Sequence, residues 1–110
     1  MATRSPNWDA LQRAIDGEVV IAGSALYEER VDAFNARFDD VRPRAIVSCA
    51  TTHDVREVVA FLARLGLEHA TRSGGHCFAG HSTSRGIVDD VGPMRSVSVG
   101  RDAVTAGAGA

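Results

Sequence analysis

The clearest alternation of apolar and polar positions runs from residue 51 to residue 66. Val55, Val58, Val59, Leu62 and Leu65 recur at the spacing that stripes one face of a helix. Thr51-Thr52-His53-Asp54 supplies a T-x-x-D cap ahead of that stripe, and Gly66 supplies the stop behind it. Before the helix, Val41-Arg42-Pro43 breaks the pattern and Ala45-Ile46-Val47-Ser48 reads as a short buried strand. A second short strand ends at Arg72, so strand, helix and strand make a βαβ unit.

The flanks are patterned less strongly. Ser5-Pro6 reads as a hydroxyl N-cap with proline at the first helical position, followed by Trp8, Leu11 and Ile15 on one face and by Gly17 as the stop. Glu18-Val19-Val20-Ile21 is too short and too apolar to separate strand from helix. Gly23-Ser24 marks a turn and a second cap, and Ala25 to about Phe34 reads as a surface helix with Leu26, Val31 and Phe34 set among acidic and basic positions. Beyond the βαβ unit, Gly86 to Val91 and Met94 to Val99 read as strands. Gly100-Arg101-Asp102 then turns the chain into Ala103-Val104-Thr105-Ala106, a β-hairpin. Val104 to Ala110 runs as an apolar strand into a glycine turn with no polar tail, which leads us to expect a chain truncated at its C-terminus.

Composition narrows the class. The chain has 110 residues and a net charge of −2, and its basic residues are all arginine and scattered, which argues against a nucleic-acid face. No run is apolar and long enough for a membrane span, and no apolar segment follows Arg4 as a leader would require, so a soluble cytoplasmic protein is expected. Cys49 and Cys77 fit reduced thiols better than a disulfide framework.

Between the βαβ unit and the later strands lies Thr71-Arg72-Ser73-Gly74-Gly75-His76-Cys77-Phe78-Ala79-Gly80-His81-Ser82, which has neither helical nor strand periodicity. Glycines remove the Cβ atoms that keep a ligand away from the main chain, so successive amides can converge on an anion such as a pyrophosphate. The loop also stands at the C-terminal end of a strand, where ligands of α/β sheets bind. Read this way, it is a phosphate cradle with the His76 imidazole in its mouth.

Arg72-Ser73-Gly74-Gly75-His76, then Ala79-Gly80 and Ser82, resembles the R-x-G-G-H-x-x-x-G-x-S stretch of flavin-linked oxidases related to vanillyl-alcohol oxidase, especially the berberine-bridge-enzyme-like branch. Tyr27, Arg30 and Asn35 stand like that family's Tyr, Arg and Asn, with the Tyr-to-Arg interval one residue shorter. Asp90, Val91 and Met94 match its I-D-L-S-x-M segment, whereas Asp89 stands where an apolar residue is usual, so its carboxylate must face water or a partner. The resemblance implies that the loop wraps the pyrophosphate of FAD and that His76 carries the flavin covalently through its 8α carbon. It implies cofactor contacts at Arg72, Ser73, Gly74, Gly75, His76, Cys77, Gly80, His81 and Ser82. Gly107 and Gly109 would let the chain approach the ring or the adenine.

Plainer readings stand beside these. His76 can be a loop residue bonded to backbone, Arg72 can cap a strand end, and Ser82 can form an ordinary turn. His76, Cys77 and His81 are adjacent in ways that make a shared zinc ion awkward, and no C-x-x-C accompanies them. Gly80-His81-Ser82-Thr83-Ser84 is a near miss to a serine-hydrolase elbow, without the strand before and helix after that the elbow needs.

The expected fold is α+β, a βαβ unit followed by a β-hairpin, as the N-terminal portion of a PCMH-type FAD-binding domain. Residues 1–40 are expected as a helical lead-in and 41–110 as the first part of the domain. The function implied is the FAD-binding part of an oxidoreductase that moves hydride from a sugar, alcohol, amine or alkaloid-like substrate to flavin, with a noncatalytic binding module and a Ser82 hydrolase as alternatives. Expected partners are FAD and a small-molecule substrate, together with self-association through an unpaired strand edge.

Overall fold

The computed structural model describes residues 6–31, 42–73 and 84–110. Its first helix, α1 (Trp8–Ala14), is capped by Asn7, whose Oδ1 accepts from the Ala10 amide at 3.1 Å. The Asn side chain thus meets a first-turn donor itself, and Pro6 lies ahead of the cap rather than in the first turn. Ile15 is already extended, which ends the helix before Gly17 and turns Ile15 into the core. Gly17 instead permits a crossing of backbones, since a Cβ there would lie 1.7 Å from the Ser48 carbonyl oxygen and only glycine can pass. The Gln12 amide group fixes the corner, donating to the Gly17 carbonyl and accepting from the Val19 amide.

Six strands lie among the described residues: β1 (Glu18–Ile21), β2 (Ala45–Ser48), β3 (His69–Arg72), β4 (Ile87–Asp90), β5 (Val97–Val99) and β6 (Val104–Ala106). Helix α2 (Tyr27–Val31) lies between β1 and β2, and α3 (Thr52–Leu65) between β2 and β3. The larger sheet has the order β1-β2-β4-β3, with β1 antiparallel to β2 and with β2, β4 and β3 all parallel. The strands flanking α3 are therefore parallel but not neighbours. β4, whose Ile87-Val88 pair is buried on both faces, sits between them and makes both ladders.

Alternation along the central strands divides the core. Ala45, Val47 and Ile87 face Leu11, Val58, Phe61 and Leu62 of α1 and α3, while Ile46 and Val88 face Val20 and Tyr27. On the first side the Trp8 and Phe61 rings meet at 5.6 Å between centroids. On the second, the Tyr27 hydroxyl donates to the Pro43 carbonyl at 2.5 Å. Phe61 joins the buried stripe of α3, whereas Val59 and Leu65 are exposed, so the inward face is rotated from the one the valine and leucine spacing suggests. The expected helix from Ala25 starts at Tyr27, and its continuation past Val31 lies outside the described residues.

β5 and β6 pair antiparallel through the corner at Gly100, whose amide donates to the Ala103 carbonyl at 2.7 Å. The strand expected from Met94 begins only at Val97, because Met94 and Arg95 donate to Val91 and Pro93 in tight turns. Register places Val97, Val99, Val104 and Ala106 on one face, and Val99 is 78% exposed. Among the described residues, no helix is long and apolar enough to cross a membrane.

Candidate functional site

The C-terminal ends of β2, β3 and β4 converge on one rim. Their last residues, or the one just beyond, are Ser48, Ser73 and Asp90, and these line a cavity of about 490 Å³ with Arg30, Gly92, Pro93, Arg95 and Gly109. Parallel strands create such a rim because their carbonyl ends all open the same way, and α/β sheets bind ligands there. A second cavity, of about 670 Å³, adjoins it across Pro93 and Arg95. It lies between Ala50, Thr51 and Thr52 at the start of α3 and the Ser98 and Thr105 face of the hairpin.

Three carboxylates hold the rim in place. Asp54 is fully buried at the N-terminus of α3 and accepts from the amides of Asp16, Gly17 and Ala50, each at 2.9 Å. Burial works to raise its pKa, but these three amides and the Thr51 hydroxyl outweigh it and hold the carboxyl below its ordinary value. Thr51 in turn accepts from the Asp54 amide at 3.1 Å, so the T-x-x-D cap is made. Asp90 accepts from the Gly92 amide at 2.8 Å and lies 3.6 Å from the Arg72 guanidinium. Asp89 is 2% exposed and receives the Thr71 hydroxyl at 2.8 Å and His69 Nδ1 at 3.1 Å, so the out-of-pattern carboxylate has two partners on the neighbouring strand.

Arg72 is 6% exposed, and its guanidinium turns inward to Asp90 and to the Arg30 carbonyl of α2, tying β3 to both. Ser73 is exposed and borders the first cavity. Gly74, Gly75, His76, Cys77, Gly80, His81 and Ser82 lie outside the described residues. Arg30 pairs with Glu18 at 3.3 Å and donates to Ser48 Oγ at 3.4 Å. Cys49 is buried against this rim. Burial, and then the charges of Asp89, Asp54 and Asp90, push its thiol up to about 12, which makes it a packing residue rather than a nucleophile. Among the described residues, no group of three His, Cys, Asp or Glu side chains is placed to hold a metal ion.

Gly107 and Gly109 fold back on the segment after β4. The Gly107 amide donates to the Ser96 carbonyl and the Gly109 amide to the Met94 carbonyl, and a Cβ at either would lie 2.1 Å from a carbonyl oxygen, of Met94 or of Val91. These glycines thus serve a close approach of backbone to backbone. Of the rim residues, Ser48 and Asp90 are legible as strand ends once β4 is placed parallel between β2 and β3, whereas Arg95 and Gly92 carry no local signal. The rim fits a dinucleotide phosphate: it offers the Ser48 and Ser73 hydroxyls and the exposed Arg95 guanidinium, and its two carboxylates on the β4 side are already occupied.

Residues 43–110 match the family model described as FAD binding domain. The FAD-linked oxidoreductase pgmH of Aspergillus terreus is 35% identical over 99 residues, covering 86% of this chain and 20% of that protein. Among solved structures, 6-hydroxy-D-nicotine oxidase from Arthrobacter nicotinovorans superposes with a TM-score of 0.74 at 32% identity, over 78% of this chain and 19% of that one. Xylooligosaccharide oxidase from Myceliophthora thermophila C1 superposes with a TM-score of 0.77 at 24% identity, over 96% of this chain and 23% of that one, and supports the fold. The chain spans about a fifth of the length of the relatives it matches.

Proposed function

Because the chain belongs to the FAD binding domain family, and binds FAD as that family does, we propose that it forms the dinucleotide-receiving part of an oxidoreductase. The observation that carries this reading is the convergence of Ser48, Ser73 and Asp90 on one cavity, with the glycine stretch beginning directly after Ser73. Main-chain amides of Gly74 and Gly75 and the hydroxyls of Ser73 and Ser82 hold the pyrophosphate, and Arg72 fixes the strand end from which the loop departs. When bound, FAD supplies the two-electron acceptor to which a sugar, alcohol, amine or alkaloid-like substrate loses hydride. The nicotine oxidase named above supports the amine class.

His76 is the residue we assign to the covalent bond with the flavin: its ring nitrogen would replace one hydrogen of the 8α-methyl group, the imidazole proton and the methyl proton leaving to solvent while the two electrons of the broken C–H bond pass into the flavin and from there to oxygen. The purified protein is expected to be yellow and to keep its colour in the pellet after acid precipitation. His76→Ala should release the colour into the supernatant. Release from the unsubstituted protein would remove the covalent assignment and leave FAD binding in place. Self-association is assigned to the hairpin, where Val97, Val99 and Val104 present an apolar face beside an unpaired strand edge.

A further inference from the structure

Charge balance around the two cavities singles out Arg95. Arg30 is paired with Glu18 and Arg72 with Asp90, so both guanidinium groups are offset by a carboxylate. The positive end of α3 is offset as well, by the buried Asp54 carboxylate. Arg95 lines both cavities, is exposed, and among the described residues makes no ion pair. Among the described residues it is therefore the positive charge left without an offsetting carboxylate at the junction of the two spaces.

Its backbone is held from both sides. The Arg95 amide donates to the Pro93 carbonyl at 3.0 Å and the Met94 amide to the Val91 carbonyl at 2.9 Å, while Gly107 and Gly109 bond to Ser96 and Met94 across the fold-back. A long cationic side chain thus departs from a fixed base on the cavity that Ser73 also lines. Main-chain amides donate directional hydrogen bonds but add no net charge. A diphosphate carries charge on both phosphates and accepts from a planar guanidinium in bidentate fashion.

We propose that Arg95 holds the diphosphate of the bound dinucleotide and is a specificity-determining residue selecting FAD over riboflavin. This rests on the FAD reading of the same site. Riboflavin carries the same ring but neither the diphosphate nor the adenosine, so a ring contact is common to both ligands and the salt dependence marks the charge contact. The ionic contact also requires FAD affinity to fall with salt.

The test uses purified protein carrying His76→Ala, so that flavin exchanges freely, with and without R95Q or R95K. Dissociation constants for FAD and riboflavin are read from flavin fluorescence at low and high salt. R95Q is expected to weaken FAD about tenfold at low salt, leave riboflavin within about twofold, and flatten the salt dependence. R95K is expected to recover part of the lost FAD affinity and its salt dependence. Unchanged FAD affinity in R95Q would overturn the proposal, as would equal losses for FAD and riboflavin, which mark a change in fold or ring packing. A parent protein that binds riboflavin as tightly as FAD, or binds neither, would instead remove the FAD reading beneath it.

Discussion

Asp54 joins three parts of the chain with one side chain: it reaches the amides of Asp16 and Gly17 before β1, the Ala50 amide after β2, and the cap of α3. Its folded pKa lies below the unfolded value, so its contribution is fully present above the unfolded carboxyl value of about 4 and is lost as pH falls through the folded one. Asp54→Asn is expected to cost on the order of 3 kcal/mol at neutral pH and to flatten the acid side of the stability curve, as measured by urea unfolding across pH. Only part of this is legible in the sequence. The T-x-x-D spacing gives the cap, but amides 38 and 37 residues upstream come to Asp54 only through β1 pairing with β2. Asp89 teaches the same point, since a carboxylate in an apolar run finds partners at His69 and Thr71 because parallel register sets alternate residues of β3 beside it.

Among the elements, α3 is the one the sequence specifies most fully. Gly66 adopts φ +64° with its amide on the Leu62 carbonyl, and Leu67 bonds to the same carbonyl, closing the helix as a glycine stop does. A Cβ at Gly66 meets nothing within 4 Å, so Gly66→Ala pays only the left-handed backbone, about 1 kcal/mol. Gly86 is the opposite case, with ordinary φ but a Cβ position 1.9 Å from the Glu68 carbonyl oxygen. Gly86→Ala must push β3 away from β4 and is expected to cost about 3 kcal/mol or more. Thermal unfolding of the two variants should therefore rank them in that order, and equal shifts would contradict the close approach of β3 and β4. β1 and the insertion of β4 are not legible locally. Three apolar residues after Glu18 fit strand or helix alike, and the choice of neighbour depends on which strand can be buried on both faces.

Over the whole molecule, the C-terminal ends of the parallel strands and the fold-back of Gly107 and Gly109 lie at one end, and the apolar groove between α1 and α3 is lined by other residues, among them Ala10, Leu11, Phe61 and Leu65. The cofactor is legible from the glycine motif, while the position of Arg95 depends on turns that no periodicity announces. The most direct measurement is amide hydrogen exchange of the protein with and without bound flavin. Slower exchange on binding is expected from Ser73 through Ser82 and from Gly92 through Arg95, with α1 and the outer face of α3 unchanged. Protection confined to the α1–α3 groove, with the glycine stretch unaffected, would contradict the placement of FAD at the strand ends.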